Sequence, residues 1–194
     1  MGFILTGGRS SRMGSDKALL EFRGQTLLER AVGVMHDISL DFAIVGDPSK
    51  YAGYGTVVQD AFPGCGPLAG IHAALRQSEA ELNFVLAVDM PFVTSDLIRY
   101  ILGVSADSDA TVVLPRNGRG FQPLCAVYRR SFAGSAEEAL RAGKYKIDAL
   151  FATASVRVVE AAELSAAGFD DRNFFNVNTL DDLQSMQKIQ TRSK

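Results

Sequence analysis

Seven short runs of apolar and β-branched residues recur along the chain: "GFILTG", "DFAIVG", "TVVQD", "NFVLAVD", "ATVVLP", "LCAVY" and "SVRVVEA". Most are near-continuous rather than alternating. A strand with one face in water alternates polar and apolar residues, whereas a strand covered on both faces reads as an unbroken apolar run. Helical patterns lie between the runs. "TLLERAVGVMHD" opens with a Thr26-x-x-Glu29 capping box, and "PLAGIHAALRQ" begins with Pro67, a residue suited to a first helical turn. Further helices are expected from Ser95 in "SDLIRYIL", over "SAEEALRAG" and from Thr179 in "TLDDLQSMQKIQ". Strands and helices alternating in this way predict an α/β fold with a mainly parallel sheet flanked by helices.

The 194 residues suit one domain, taken as residues 1–190, with "TRSK" at 191–194 as a frayed tail. Apolar and charged fractions of 47% and 22% are those of an ordinary globular protein. A net charge of -2 argues against nucleic acid as the main partner, because phosphate backbones are held by surplus Lys and Arg. Cys65 and Cys125 stand in no CxxC or zinc spacing, and His36 and His72 are far from both. No run approaches the roughly 20 apolar residues that span a bilayer. A reduced, cytoplasmic compartment away from the membrane is therefore expected. Gly2 to Thr6 fits the MGxxxT lipidation pattern, but that short pattern overlaps an expected buried strand, and lipidation is not expected.

Open α/β sheets bind ligands beyond the carboxyl ends of their strands, which directs the reading to three loops. "LTGGRSSRMGSDK", Leu5 to Lys17, follows the first strand at once and exposes backbone N–H groups at Gly7 and Gly8. Arg12 and Lys17 could neutralise a polyphosphate there. The loop is neither a Walker A nor a GxGxxG motif, and composition alone leaves a phosphate site and a solvated basic turn equally open. In "LAVDMP", Asp89 ends the most apolar strand and is placed to hold Mg2+, a hard ion that takes one or two carboxylates plus phosphate oxygens. The alternative is a helix-capping Asp, a task Ser95 can already perform. In "VVQDAFPGCGPLAG", Asp60 ends a strand before a glycine-rich turn, where it could accept hydrogen bonds from a base or a ribose. An ordinary loop explains that segment equally well.

Taken in order, "LTGGRSSRMGSDK", "DAFPGCGPLAG", "AVDMPFV", "QPLCAVY" and "FFNVNTLDDL" resemble the molybdenum cofactor guanylyltransferases over nearly the whole chain. The resemblance implies a single Rossmann-like domain of the nucleotide-diphospho-sugar transferase type. It also implies Mg2+-dependent transfer of GMP from GTP to the terminal phosphate of molybdopterin. By matching positions, it implies that Leu5, Thr6 and Gly7 meet guanine through their backbone and that Lys17 meets the phosphates. It further implies that Asp60 contacts GTP, that Asp89 binds Mg2+, that Arg12 serves the phosphates and catalysis, and that Asn176 and Asn178 lie near the pterin. Transient contacts with other cofactor-assembly proteins are expected on the same ground.

Two positions depart from the family pattern. Thr6 replaces the usual alanine, and Gly46 or Asp47 stands where a nucleotide-contacting asparagine is usual. The implied chemistry is in-line attack by an already ionised phosphate, which needs positioning and charge neutralisation rather than a protein nucleophile. The nearest rival is a cytidylyltransferase of the same fold, acting on molybdopterin or on a sugar or polyol phosphate. A rival of another class is a non-catalytic nucleotide-binding accessory protein, against which the presence of Arg12, Lys17 and Asp89 together argues.

Overall fold

The computed structural model describes residues 1–7, 16–177 and 182. Arg12, Asn178, the helix expected from Thr179 and the tail at 191–194 lie outside the described residues. In chain order the elements begin with β1 (Gly2–Leu5), β2 (Glu21–Phe22), β3 (Gln25–Thr26), α1 (Leu27–Asp37), β4 (Phe42–Val45) and α2 (Pro48–Tyr51). Next come β5 (Val57–Val58), α3 (Pro67–Gln77), β6 (Leu82–Ala87), α4 (Ser95–Ala106), β7 (Val112–Asn117), β8 (Gly120–Phe121) and β9 (Cys125–Arg129). They are followed by α5 (Phe132–Arg141), β10 (Val156–Val159) and α6 (Ala161–Ala166).

One sheet runs β10-β7-β9-β6-β1-β4-β5, with β8 paired to β7. Pairing is parallel across β6, β1, β4 and β5 and between β10 and β7, while β9 runs against both its neighbours. The mainly parallel α/β expectation therefore holds. The unbroken apolar runs also find their cause, because successive residues feed two cores. Ile4, Phe84, Leu86 and Val127 pack under α1, α4 and α6, whereas Phe3, Leu5, Val85 and Tyr128 pack under α3 and α5. Each such fully buried side chain contributes about 1.5–3 kcal/mol relative to exposure.

The seven expected strands correspond to β1, β4, β5, β6, β7, β9 and β10. The Thr26 capping box forms, with Glu29 N–H donating to Thr26 Oγ1 at 3.1 Å and Thr26 N–H to Glu29 Oε2 at 2.6 Å. One expectation is corrected: the cap of α4 is Thr94, whose Oγ1 accepts from Leu97 N–H at 3.3 Å, and Ser95 is the first helical residue. A threonine one position earlier satisfies the same orphan amide, so the cap has shifted without changing its task. No helix among the described residues is long and apolar enough to cross a membrane.

The shape of the edge depends on one glycine. A Cβ on Gly46 would overlap Thr6 Oγ1 and come within 2.8 Å of the Tyr51 ring. No side chain fits there, and the segment after β4 can approach β1 only as glycine. Gly46→Ala is expected to lower stability by about 1–3 kcal/mol in urea denaturation. Adding Thr6→Ala removes the hydroxyl it overlaps and should restore part of that loss; a double variant no more stable than Gly46→Ala would show that Thr6 is not the obstacle.

Candidate functional site

The parallel strands β1, β4, β5 and β6 all end on one edge of the sheet, and β7, antiparallel to β9 as β6 is, ends there too. Over β1, β4 and β5 a cleft of about 550 Å³ opens, lined by Leu5, Gly7, Val45, Gly46, Asp60, Gly64, Gly66, Pro67 and Gly70. Its wall of glycines has physical reasons. Gly64 and Gly66 adopt φ of +80° and +78°, which residues with a Cβ rarely do, and Gly70 lets α3 press onto Leu5, whose Cδ2 lies 3.3 Å from where a Cβ would sit. The amino terminus of α3, at Pro67, therefore opens into the cleft and presents the positive end of its helix dipole.

Asp60 lines this cleft, and Thr6 and Asp47 adjoin its lining residues in sequence. Asp60 Oδ1 accepts from Phe62 N–H at 2.6 Å, which fixes the carboxylate against the turn and leaves Oδ2 outside that bond. Thr6 is turned inward: its N–H and its hydroxyl both donate to Val45 O, at 3.1 Å and 2.8 Å. A base contact at Thr6 can thus use its carbonyl but not its amide. Asp47, one of the two residues standing where an asparagine is usual in the resembling family, caps α2 by accepting from Ser49 N–H at 2.9 Å.

Beside the cleft, Lys17 Nζ lies 2.6 Å from Asp89 Oδ2, with both side chains only about one-fifth exposed. Seventy-two residues separate them, and the sheet closes the gap. Leu5 sits opposite Ala87 in the β1–β6 register, Val88 N–H donates to Leu5 O at 3.0 Å, and Asp89 follows. Asp89 Oδ1 is buried without a hydrogen-bond partner among the described residues, an oxygen suited to a cation. The main-chain oxygen of Asp89 accepts from Val177 N–H at 2.8 Å, which brings Asn176 to the same corner.

Lys17 is positioned by its neighbour. Asp16 Oδ1 caps the short 3-10 turn Lys17–Leu19 by accepting from Ala18 N–H at 3.2 Å. The Asp16 carboxylate also accepts from Tyr51 OH at 2.8 Å and from Lys50 Nζ at 2.9 Å. Burial works to raise the Asp16 carboxyl, but the bonds from Lys50 and Tyr51 outweigh it and hold the group below its usual range. Burial, with Asp16 adding to it, pushes the Tyr51 phenol well upward, so Tyr51 stays a donor. The sequence contained Asp16 in plain view beside Lys17, but nothing in its spacing pointed to Tyr51, which sits in a four-residue helix with no periodicity to read.

The edge thus brings Leu5, Gly7 and Asp60 together in one cleft, pairs Lys17 with Asp89, and sets Asn176 beside Asp89. Among the described residues no cluster of three or more His, Cys, Asp or Glu could hold a metal by itself, and phosphate oxygens of a substrate are ligands of the kind that a hard cation at Asp89 would accept.

The model of the MobA-like NTP transferase domain family matches residues 2–158. A protein of Pelotomaculum thermopropionicum named "Probable molybdenum cofactor guanylyltransferase" is 38% identical, covering 100% of this chain and 94% of its own. The molybdenum cofactor guanylyltransferase of Desulfosudis oleivorans is 34% identical over 96% of this chain and 93% of its own. Among solved structures, molybdopterin-guanine dinucleotide biosynthesis protein A of Archaeoglobus fulgidus superposes with a TM-score of 0.84 at 28% identity, covering 98% of both chains.

Because the folded-state value of Asp16 lies below its ordinary 3.8, its charge stabilises the fold fully above that pH and ceases to as pH falls through the lower folded value. Asp16→Asn should lower Tm by about 4 °C at pH 7, and the difference should shrink as pH falls below 3.8. A Tm difference unchanged at the lower pH would mean that the carboxylate charge contributes nothing.

Proposed function

The chain belongs to the MobA-like NTP transferase family, and we propose on that premise that it transfers GMP from GTP to the terminal phosphate of molybdopterin. The product is a guanine dinucleotide form of the molybdenum cofactor. The observation that carries the reading is the Lys17–Asp89 pair beside a glycine-lined cleft. Relatives named for guanylyl transfer at 38% and 34% identity favour GTP over the cytidylyl alternative.

Guanine presents N1–H and an exocyclic amine side by side, both donors, and therefore needs acceptors. Asp60 and the carbonyl of Thr6 supply them in this reading, with the Leu5 backbone against the base and Gly7 allowing the ring to lie close. Cytosine offers a mixed edge, with N3 and O2 as acceptors that a carboxylate would repel. Lys17 takes the phosphates: an ammonium carries three N–H donors and can bridge the Asp89 carboxylate and a phosphate oxygen. Arg12, in the same glycine-rich loop by sequence, adds a second positive charge.

The residues fit a divalent cation, taken as Mg2+, since the buried Oδ1 of Asp89 has no protein donor among the described residues. Asp89 would hold it together with phosphate oxygens, and when bound it offsets the negative charge of the triphosphate. The transfer itself is a displacement. An oxygen of the acceptor phosphate forms a bond to the α-phosphorus of GTP, and the bond from that phosphorus to the α–β bridging oxygen breaks. Pyrophosphate leaves with the electron pair. Lys17 and Arg12 neutralise the charge gathered on the oxygens, and Asp60 with the strand ends holds the nucleotide in line. The amides of Asn176 and Asn178, each both donor and acceptor, face the acceptor's polar heterocycle in this reading. A cytoplasmic reaction is part of the proposal, supported by the two free thiols, Cys65 and Cys125. So are transient contacts through which cofactor-assembly proteins deliver the pterin.

Purified protein incubated with GTP and molybdopterin is expected to release pyrophosphate, with CTP a poor substitute in competition. No pyrophosphate, or equal use of CTP, would overturn the reading. Asp89→Ala should reduce turnover about a thousandfold while leaving the circular dichroism spectrum unchanged. Lys17→Ala should weaken GTP binding about tenfold by calorimetry, the loss of one hydrogen bond to a charged group; unchanged affinity would remove Lys17 from the phosphates.

A further inference from the structure

The carboxyl edge extends beyond Asp89 to the end of β7, where Asn117 is the last strand residue and is only 7% exposed. Its Oδ1 accepts from Arg119 N–H at 2.9 Å and from Gln122 Nε2 at 3.0 Å. Two donors on one atom fix which end of the amide is oxygen, because the reverse placement would set Nδ2 against both donors. The Nδ2 is then a buried donor with no acceptor among the described residues. The other buried asparagine among the described residues differs. Asn83, near the amino end of β6, spends its Nδ2 on Ala80 O and lies at the opposite edge of the sheet. Pinning the β7–β8 turn explains Asn117 Oδ1 but not Nδ2.

The neighbours place this amide on the acceptor side of the site. Gln122 leads into β9, and Leu124 O accepts from Ala87 N–H at 2.8 Å, two residues before Asp89. Arg119, exposed, lies 5.6 Å over the ring of Phe175, two residues before Val177, whose N–H binds Asp89 O. Such an exposed cation–π contact is worth about 0.5–1 kcal/mol and yields easily to a ligand. The nucleotide cleft occupies the β1–β4–β5 half of the edge, which leaves this half for the acceptor.

We propose that Asn117 is a specificity-determining residue for the acceptor, its Nδ2 donating to a ring nitrogen or carbonyl of the pterin once Arg119 lifts from Phe175. Gln122 is the positioning residue that holds the amide in register. The inference rests on the acceptor assigned under the proposed function and adds a recognition element on β7 that is separate from Asn176.

Asn117→Asp tests it, since it keeps the oxygen that Arg119 and Gln122 bind and replaces only the donor. The expected result is a KM for molybdopterin raised at least about tenfold, with the Kd for GTP within about twofold of the parent. A variant that binds GTP normally and keeps its molybdopterin KM within about twofold overturns the proposal. Should Asn117→Asp fail to bind GTP, Gln122→Met decides, because it removes the side-chain donor that holds Asn117 Oδ1 and leaves Nδ2 in place but no longer held in register. A rise of about threefold or more in molybdopterin KM at unchanged GTP affinity supports the proposal, and no rise overturns it. If the parent protein itself releases no pyrophosphate, the transfer reading fails separately. Fluorescence titration with molybdopterin alone then judges the site: binding weakened by Asn117→Asp sustains it, and equal binding contradicts it.

Discussion

The site depends on the parallel pairing of β1 with β6. That register ends both strands level, at Leu5 and Ala87, and so delivers Lys17 and Asp89 to one point although 72 residues lie between them. A 2.6 Å ion pair that is largely sheltered from water interacts more strongly than a surface pair, but it also removes two charges from solvent. A chain that keeps such a pair at a strand-end crevice, with one carboxylate oxygen buried and unpartnered, holds polarity that folding alone does not require. Anionic ligand and cation together would use it.

Around that pair the edge divides. On the β1–β4–β5 side, glycines replace side chains wherever backbone must come close: Gly46 against Thr6 and Tyr51, Gly70 against Leu5, Gly64 and Gly66 in the turn before α3. Asp60 is the carboxylate within that smooth wall. On the β9–β7 side the wall is amide and aromatic, with Asn117, Gln122 and Phe175. A charged, flat nucleotide and a polar heterocycle ask for those two different surfaces, and the reacting phosphates would meet between them at Lys17 and Asp89.

Much of this was legible in the residues. Unbroken apolar runs announced strands buried on both faces, and the two cores confirm why they are unbroken. The capping box at Thr26 and Pro67 at a helix start were read from local chemistry that tertiary structure left in place. Short elements were not legible: β2, β3 and β8 have two residues each and α2 has four, too few to show a period. The Thr94 cap was misplaced by one residue because two adjacent hydroxyl residues compete for the position. Asp16 and Tyr51 escaped because their task is visible only across 35 residues of chain. Asn117 escaped because its strand was expected to stop at Pro115, whereas pairing with β8 carries β7 two residues further to the edge.

A double-mutant cycle decides whether Lys17 and Asp89 act as a single unit on the triphosphate. With kcat/KM measured from pyrophosphate release for Lys17→Met, Asp89→Asn and the double variant, groups acting as a unit are strongly non-additive. The double variant is expected to be at most about threefold worse than Asp89→Asn alone. Losses that multiply across the two positions would contradict it and make them two independent contacts.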